Sequence, residues 1–301
     1  MILEAKYIGC LAKEFLTKSL KKAGRIRTIL PNTFYAEFDG NPIIVTRKRG
    51  RAPLNINISQ AQGESFQKII QPDLSISFKG DALKIGNIIV DLRHVEIYEC
   101  MGLDLDSLRV SDDELIKASF ILSRLYDLVE RNFLVIYRTS QFHEFLTNIV
   151  KPFANGVEDA VQNPEPYRKL MGLGQGFTPA GDDFLSGFLA TLNASSKVYG
   201  FKGFFLSKDD ILSSTSWASG MLLYYSQYGY VGEGVSKAIQ SLKDKVGFSD
   251  ALMDLARIGH TSGLDISLGV LVASSMILDL IRSKGILSRV IRHFWANPET
   301  L

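Results

Sequence analysis

The sequence predicts an α+β protein in two parts, an N-terminal antiparallel sheet or small barrel followed by a mainly helical C-terminal domain. Three observations carry this. Apolar residues alternate with polar ones through the first hundred positions. After Ser111 the apolar period changes to that of a helix. A glycine-rich stretch then feeds directly into an apolar helical run. The change of period falls within residues 101–111, which gives a strand-rich domain over 1–105 and a helical domain over 106–301.

The elements follow in order. Segments 33–38 and 43–47 flank Asp39-Gly40-Asn41-Pro42, a strong turn with hairpin character. Leu54, Ile56 and Ile58 alternate with Asn55 and Asn57. Leu74, Ile76 and Phe78 alternate with Ser75 and Ser77, before a turn at Lys79-Gly80-Asp81. Segments 87–92 and 95–98 complete the strands, and 59–70 reads as a short helix between them. Period-two alternation means one buried face and one wet face. The basic run Arg47-Lys48-Arg49 with Arg51 is expected to be a solvated edge that protects the sheet. A phosphate or carboxylate clamp is the other reading of it.

Ser111-Asp-Asp-Glu114 is a capping-box signature, with Ile116, Phe120, Ile121, Leu125 and Leu128 following as the apolar stripe. Further helices are expected over 142–150, 183–198, 208–225, 234–242, 249–258, 264–281 and 287–295, with a loop over 155–168. Tyr224, Tyr225, Tyr228 and Tyr230 read as core packing. Trp217-Ala-Ser-Gly220 reads as a helix-packing face.

Composition bounds the function. The 301 residues are 46% hydrophobic and 22% charged, which suits a folded protein with a substantial core. A net charge of +2 gives no whole-chain argument for nucleic acid. Two cysteines, Cys10 and Cys100, are too few for a disulfide framework and show no zinc spacing. The start lacks the pattern of a signal peptide. The apolar stretch 264–281 contains Asp265 and Asp279, so a buried helix is expected rather than a membrane span. The expectation is a cytoplasmic protein.

The segment Gly172-Leu-Gly-Gln-Gly-Phe-Thr-Pro-Ala-Gly-Asp-Asp183 is the densest chemical signal. Glycine-loop amides beside a helix N-terminus bind anions. Two adjacent carboxylates repel an anion unless a cation or a proton intervenes. Thr178 is the expected N-cap and Pro179 the first helical residue. No Walker lysine or Rossmann context is present, which removes the nucleotide-loop reading. Phe184, Leu185, Phe188, Leu189 and Leu192 form the buried stripe.

A second motif, Gly259-His-Thr-Ser-Gly-Leu-Asp265, echoes the first. Gly181-x-Asp183-x-x-x-Gly187 matches Gly263-x-Asp265-x-x-x-Gly269, with the same offset at each shared position. Packing of the two helices at Gly187 and Gly269 would bring Asp183 and Asp265 together, with His260 at the rim and Ser262 as the second cap. The candidate catalytic residues are Asp182, Asp183, His260 and Asp265. The candidate binding residues are Gly174, Gly176, Thr178, Gly181, Thr261, Ser262 and Gly263. Asp182, Asp183 and Asp265 are also the metal candidates, with Mg²⁺ the ion that suits them.

At these two motifs the chain resembles the AllH family, formerly a domain of unknown function. Gln175 and Phe177 stand where Pro and Leu are expected, while the glycines, Thr178 and both aspartates match. The resemblance implies a subunit of oxamate carbamoyltransferase in purine and allantoin breakdown. That enzyme interconverts N-carbamoyl-oxamate plus phosphate with oxamate plus carbamoyl phosphate. The implied partners are a small anionic substrate and two other kinds of subunit, with no nucleic acid or membrane. The Ser-Thr-Arg-Thr and His-Pro-x-Gln signatures of aspartate and ornithine carbamoyltransferases are absent. A non-catalytic assembly or regulatory subunit, or a small-anion sensor, are the alternatives.

Overall fold

A computed structural model describes residues 1–19, 23–59, 63–71, 74–99, 103, 105–129 and 133–294. Cys100 and Trp295, which figure in the expectations above, lie outside the described residues. The chain divides into two compact units, 1–101 and 102–301.

The first unit contains β1 (Ile2–Gly9), α1 (Cys10–Lys18), β2 (Ala23–Leu30), β3 (Thr33–Phe38), β4 (Asn41–Thr46), β5 (Asn55–Ile58), α2 (Phe66–Ile69), β6 (Ser75–Lys79), β7 (Ala82–Ile85), β8 (Ile88–Asp91) and β9 (Glu96–Tyr98). Among the described residues, eight strands close a barrel in the order β1-β5-β4-β3-β2-β6-β7-β8 and back to β1, and β9 adds an extra strand on β1. The sheet is mixed, not purely antiparallel, because β1 runs parallel to β8 and β9 and β4 runs parallel to β5.

Closure depends on β1. It pairs antiparallel with β5, and its register shifts at a bulge between Ala5 and Tyr7, the kind of kink that bends a strand around a barrel. Asp39 and Gly40, at φ 51° and 78°, make the left-handed turn that joins β3 to β4. Phe34, Ile43, Val45, Ile56, Ile76 and Val90 are buried at the barrel's core.

The basic run is a solvated edge only at Lys48 and Arg49, which are exposed. Arg47 is 6% exposed, donates from Nη1 to the Glu64 carbonyl at 2.6 Å and lies 4.2 Å over the Phe66 ring. Arg51 stacks over Tyr7 and Tyr98. The apolar faces of both guanidinium groups make them packing residues.

The second unit is helical: α3 (Asp112–Asp127), α4 (Ser140–Phe145), α5 (Lys151–Ala154), α6 (Glu165–Leu170), α7 (Ala180–Tyr199), α8 (Lys208–Ser214), α9 (Trp217–Ser226), α10 (Glu233–Gln240), α11 (Phe248–Ala256), α12 (Ser262–Arg282) and α13 (Ile286–Ile291). A π-helical stretch, Leu146–Val150, joins α4 to α5. The expected loop over 155–168 contains a 3-10 turn, Glu158–Gln162, and the start of α6. The expected helix over 208–225 is broken in two, because the Ser216 hydroxyl accepts from the Ser219 N–H and caps a new helix. The tyrosines at its end are only partly packed, with Tyr228 48% and Tyr230 38% exposed.

Half of the capping box forms. Ser111 Oγ accepts from the Glu114 N–H, but the Glu114 carboxylate does not fold back on Ser111. Its Oε2 accepts from the N–H groups of Gly247 and Ser249 and from the Ser249 hydroxyl, so it caps α11. The expected stripe on α3 lies on the wrong face. Leu115, Ala118, Ser119, Leu122 and Tyr126 are buried, whereas Phe120 and Leu128 are exposed.

Helices α7 and α12 form the centre of this unit. A Cβ on Gly187 would lie 2.2 Å from the Ile266 carbonyl oxygen, and one on Gly269 would lie 2.1 Å from that of Phe184. The two contacts are reciprocal, since Ile266 stands to Gly269 as Phe184 stands to Gly187. The helices run side by side with their N-termini at one end, where Thr178 Oγ1 and Ser262 Oγ are 2.9 Å apart. Helix α12 is long and apolar enough to cross a membrane by length and composition, but it is 83% buried within the protein.

Gly187→Ala or Gly269→Ala should force these backbones apart. Overpacking of this kind costs about 1–3 kcal/mol, so thermal unfolding should show each variant melting several degrees below wild type. An unchanged melting temperature in both would refute the close helix contact.

Candidate functional site

The glycine loop is built around Asp182. Gly172, Gly174 and Gly176 have φ of 72°, 116° and 106°, values that L side chains rarely adopt. Asp182 Oδ1 accepts from the Gly172 N–H at 2.8 Å. Its Oδ2 accepts from Thr215 Oγ1 at 2.5 Å and Ser219 Oγ at 2.6 Å. Asp182 is 1% exposed. Burial raises its pKa, and the hydrogen bonds of Ser219, Thr215 and Gly172 oppose that rise. Its two oxygens are thus fully engaged in fastening the loop and α9 to α7.

Asp183 and Asp265 occupy equivalent places in the first turns of α7 and α12. Asp183 is 7% exposed and Asp265 1%. Asp265 Oδ1 accepts from the Tyr126 hydroxyl at 2.7 Å, and the Ser262 and Thr178 hydroxyls, 2.9 Å from each other, lie close enough to the Asp183 carboxylate to lower its pKa. The Oδ2 atoms of both aspartates are buried with no hydrogen-bond partner. Burial raises the Asp183 carboxyl to about 7, against those two hydroxyls, with Asp182 adding charge repulsion. Burial also holds Asp265 well above the usual carboxylate range, opposed by Tyr126 and reinforced by Asp183. Tyr126 is itself raised, by burial first and by Asp265 second.

Several expected roles change. The N-cap of α7 is Pro179, with no side-chain cap, and Thr178 turns its hydroxyl to Ser262 and Asp183 instead. The N-cap of α12 is Thr261, without a side-chain hydrogen bond, and Ser262 is the first helical residue. Gly181 and Gly263 are not amide donors to a ligand, because their N–H groups bond the carbonyls of Leu173 and Ile258. They serve packing: a Cβ on Gly181 would sit 1.8 Å from the Leu170 oxygen, and one on Gly263 2.1 Å from that of Leu255. Gly174 and Gly176 keep N–H groups without a hydrogen bond among the described residues. His260 is exposed in the turn before α12, with its ring stacked on Phe133 at 4.7 Å, and hydrogen-bonds neither aspartate.

No three His, Cys, Asp or Glu side chains converge as metal ligands among the described residues, so the expected trio of aspartates does not form one set. Sequence reasoning missed Tyr126, Thr215 and Ser219. Tyr126 was legible only on the other stripe of α3, where Leu115, Leu122 and Tyr126 follow helical spacing.

A cavity of about 660 Å³ lies at the far end of α12, lined by Lys151, Asn155, Asp279, Ser283 and Arg292 among others. Its carboxylate is already engaged, since Asp279 accepts from the N–H groups of Ile286 and Leu287 and so holds α13. The acid pair at the α7 and α12 N-termini, with its two orphaned oxygens, is the stronger chemical site.

Asp183 gives a pH dependence whose sign follows from its raised pKa. In the fold it is protonated below about 7, while in the unfolded chain it ionises near the ordinary value of 3.8. Between those values the folded state holds the extra proton, so stability should rise as pH falls from 8 towards 4. The largest contribution is about 4 kcal/mol. In metal-free buffer Asp183→Asn should therefore melt several degrees higher than wild type at pH 8 and much closer to it at pH 4. An equal difference at both pH values would contradict the raised pKa.

No solved structure matches the chain. Residues 170–274 match the model of a family described as oxamate carbamoyltransferase subunit AllH, and this span runs from the end of α6 to the middle of α12. It contains the glycine loop, Asp182, Asp183, His260 and Asp265, so the similarity to AllH falls on the residues that build the site.

Proposed function

We propose that the chain is one subunit of a carbamoyltransferase that acts on a small carboxylate. The substrates are N-carbamoyl-oxamate with phosphate, or oxamate with carbamoyl phosphate, and the setting is purine and allantoin breakdown in the cytoplasm. The observation that carries this reading is the coincidence of the AllH match with the acid pair and its glycine loop.

In the phosphorolytic direction a phosphate oxygen attacks the carbamoyl carbon. The C–N bond to the oxamate nitrogen then breaks, and that nitrogen takes up a proton. Charge develops on the carbamoyl oxygen and must be stabilised. The free N–H groups of Gly174 and Gly176 and the parallel helix N-termini supply that stabilisation. The Thr178 and Ser262 hydroxyls orient anionic oxygens at the mouth of the site. Asp183, raised to about 7, is suited to exchange the proton of the leaving nitrogen. His260, exposed at the rim, is a second proton carrier. Other subunits of the complex supply the remaining contacts to the substrates.

The test is a carbamoyl-transfer assay on the chain with and without its partner subunits. Asp183→Asn should lower kcat by at least about a hundredfold, the lower range of general acid–base effects, while the complex still assembles. His260→Ala should have a smaller effect. Full activity in a folded Asp183→Asn complex would remove the catalytic role. Loss of assembly with intact substrate binding would favour an assembly subunit instead.

A further inference from the structure

We propose that Asp183 and Asp265 jointly hold a divalent cation of the Mg²⁺ class. The proposal takes its location from the proposed active site, where the cation competes with the Asp183 proton and in the metal-bound state His260 is the proton carrier, but it concerns the chain alone and is read without any transfer assay.

Its first ground is the pair of orphaned oxygens. Three buried side-chain polar atoms lack a hydrogen-bond partner among the described residues, and two of them are the Oδ2 atoms of Asp183 and Asp265. An unsatisfied buried polar atom is costly, and more so when it belongs to a charged group. The two come from different helices, occupy matched positions in the sequence echo, and sit more than nine-tenths buried. The other oxygen of Asp265 accepts from Tyr126, and the Thr178 and Ser262 hydroxyls, paired with each other, lie beside the Asp183 carboxyl. Hydroxyl donors and helix N-termini both favour the ionised carboxylate. The arrangement leaves one oxygen of each carboxyl open.

The second ground is charge balance. Among the described residues no Lys or Arg forms an ion pair with Asp182, Asp183 or Asp265. Buried charges in proteins are paired or coordinate metals. With no cationic side chain in place, the pair either holds protons, as the raised pKa values describe for the empty site, or ionises around a cation from outside the chain.

The donor set selects the ion. It offers two carboxylate oxygens and the Thr178 and Ser262 hydroxyls, all oxygen, with His260 turned to Phe133 and hydrogen-bonded to neither aspartate. All-oxygen donors suit a hard cation rather than zinc or copper. Two protein carboxylates are too few for the six to eight ligands of Ca²⁺. They match Mg²⁺, which keeps waters and takes further oxygens from a phosphate-bearing substrate. A cation here also removes the repulsion that two aspartates would exert on an anion approaching the Gly174 and Gly176 amides.

The experiment titrates the metal-free full chain with Mn²⁺, followed by electron paramagnetic resonance, with Mg²⁺ as competitor. One saturable site is expected, displaced by Mg²⁺. Asp183→Asn and Asp265→Asn should each weaken it at least about tenfold, and exposed Asp209→Asn should leave it unchanged. Circular dichroism and thermal unfolding in chelator check that each variant folds. Wild-type protein with no saturable Mn²⁺ site overturns the proposal, as does equal binding by wild type and both folded variants. A chain that binds Mn²⁺ but supports no carbamoyl transfer would leave the cation site standing and remove the proposed reaction. Transfer without any saturable metal site would do the reverse.

Discussion

The close parallel contact of α7 and α12 is the constraint on which the helical unit depends. Gly187 and Gly269 let each helix lay its backbone against the other, with no room for a Cβ on either side. Glycine inside a helix is unfavourable by about 0.5–1 kcal/mol relative to alanine. Two such residues one turn after matched aspartates are therefore placed for approach and not for helix formation. Because the helices are parallel, their two positive ends meet at one place. That end gathers a carboxylate from each first turn and two hydroxyls, an arrangement that the helix dipoles favour.

The three buried aspartates of this region have different fates, and hydrogen bonding decides each of them. Asp182 receives three donors and fastens the glycine loop, and those donors oppose the rise that burial imposes on its pKa. Asp265 has a donor on one oxygen only, and both it and Asp183 leave Oδ2 without a partner. Burial then dominates, and both carboxyls are raised. An ordinary structural acid would be satisfied on both oxygens, as Asp279 is by two backbone N–H groups at the other end of α12. The contrast within one helix separates a capping acid from a site acid without appeal to any ligand.

Part of this was legible in the sequence. The echo of Gly-x-Asp-x-x-x-Gly was readable because only glycine permits the contact, so the spacing carried three-dimensional information. The barrel's closure was not. Strand β2 carries Arg25 and Arg27, whose alternation marks an outer face salt-bridged to Glu37, and β1 closes the ring through pairings with segments distant in sequence, from Ile8 with Ile56 to Ile2 with Ile89. Asp182 looked like half of a catalytic pair because Thr215 and Ser219, its partners, lie more than thirty residues downstream. Tyr126 was hidden because the largest apolar residues of α3, Phe120 and Leu128 among them, mark its wet face. Size misled there, and the smaller residues Ala118 and Ser119 marked the buried side.

The position of Tyr126 separates what the AllH match carries from what the rest of the unit contributes. The matched span, 170–274, includes the loop, both aspartates and the two glycines that bring their helices together. Tyr126 belongs to α3, outside that span, and it is the residue that fixes Asp265 Oδ1. With that oxygen engaged, only Oδ2 of Asp265 remains open, on the same footing as Oδ2 of Asp183. The two-fold character of the acid pair therefore arises from unlike means. Hydroxyls at the helix starts serve one aspartate, and a tyrosine from a third helix serves the other. The edge-to-face contacts of Tyr126 with Tyr137, at 5.1 Å, and with Phe294 hold that hydroxyl in place from the chain's own core. The geometry of the open oxygens thus depends on packing well beyond the motifs that first reveal them.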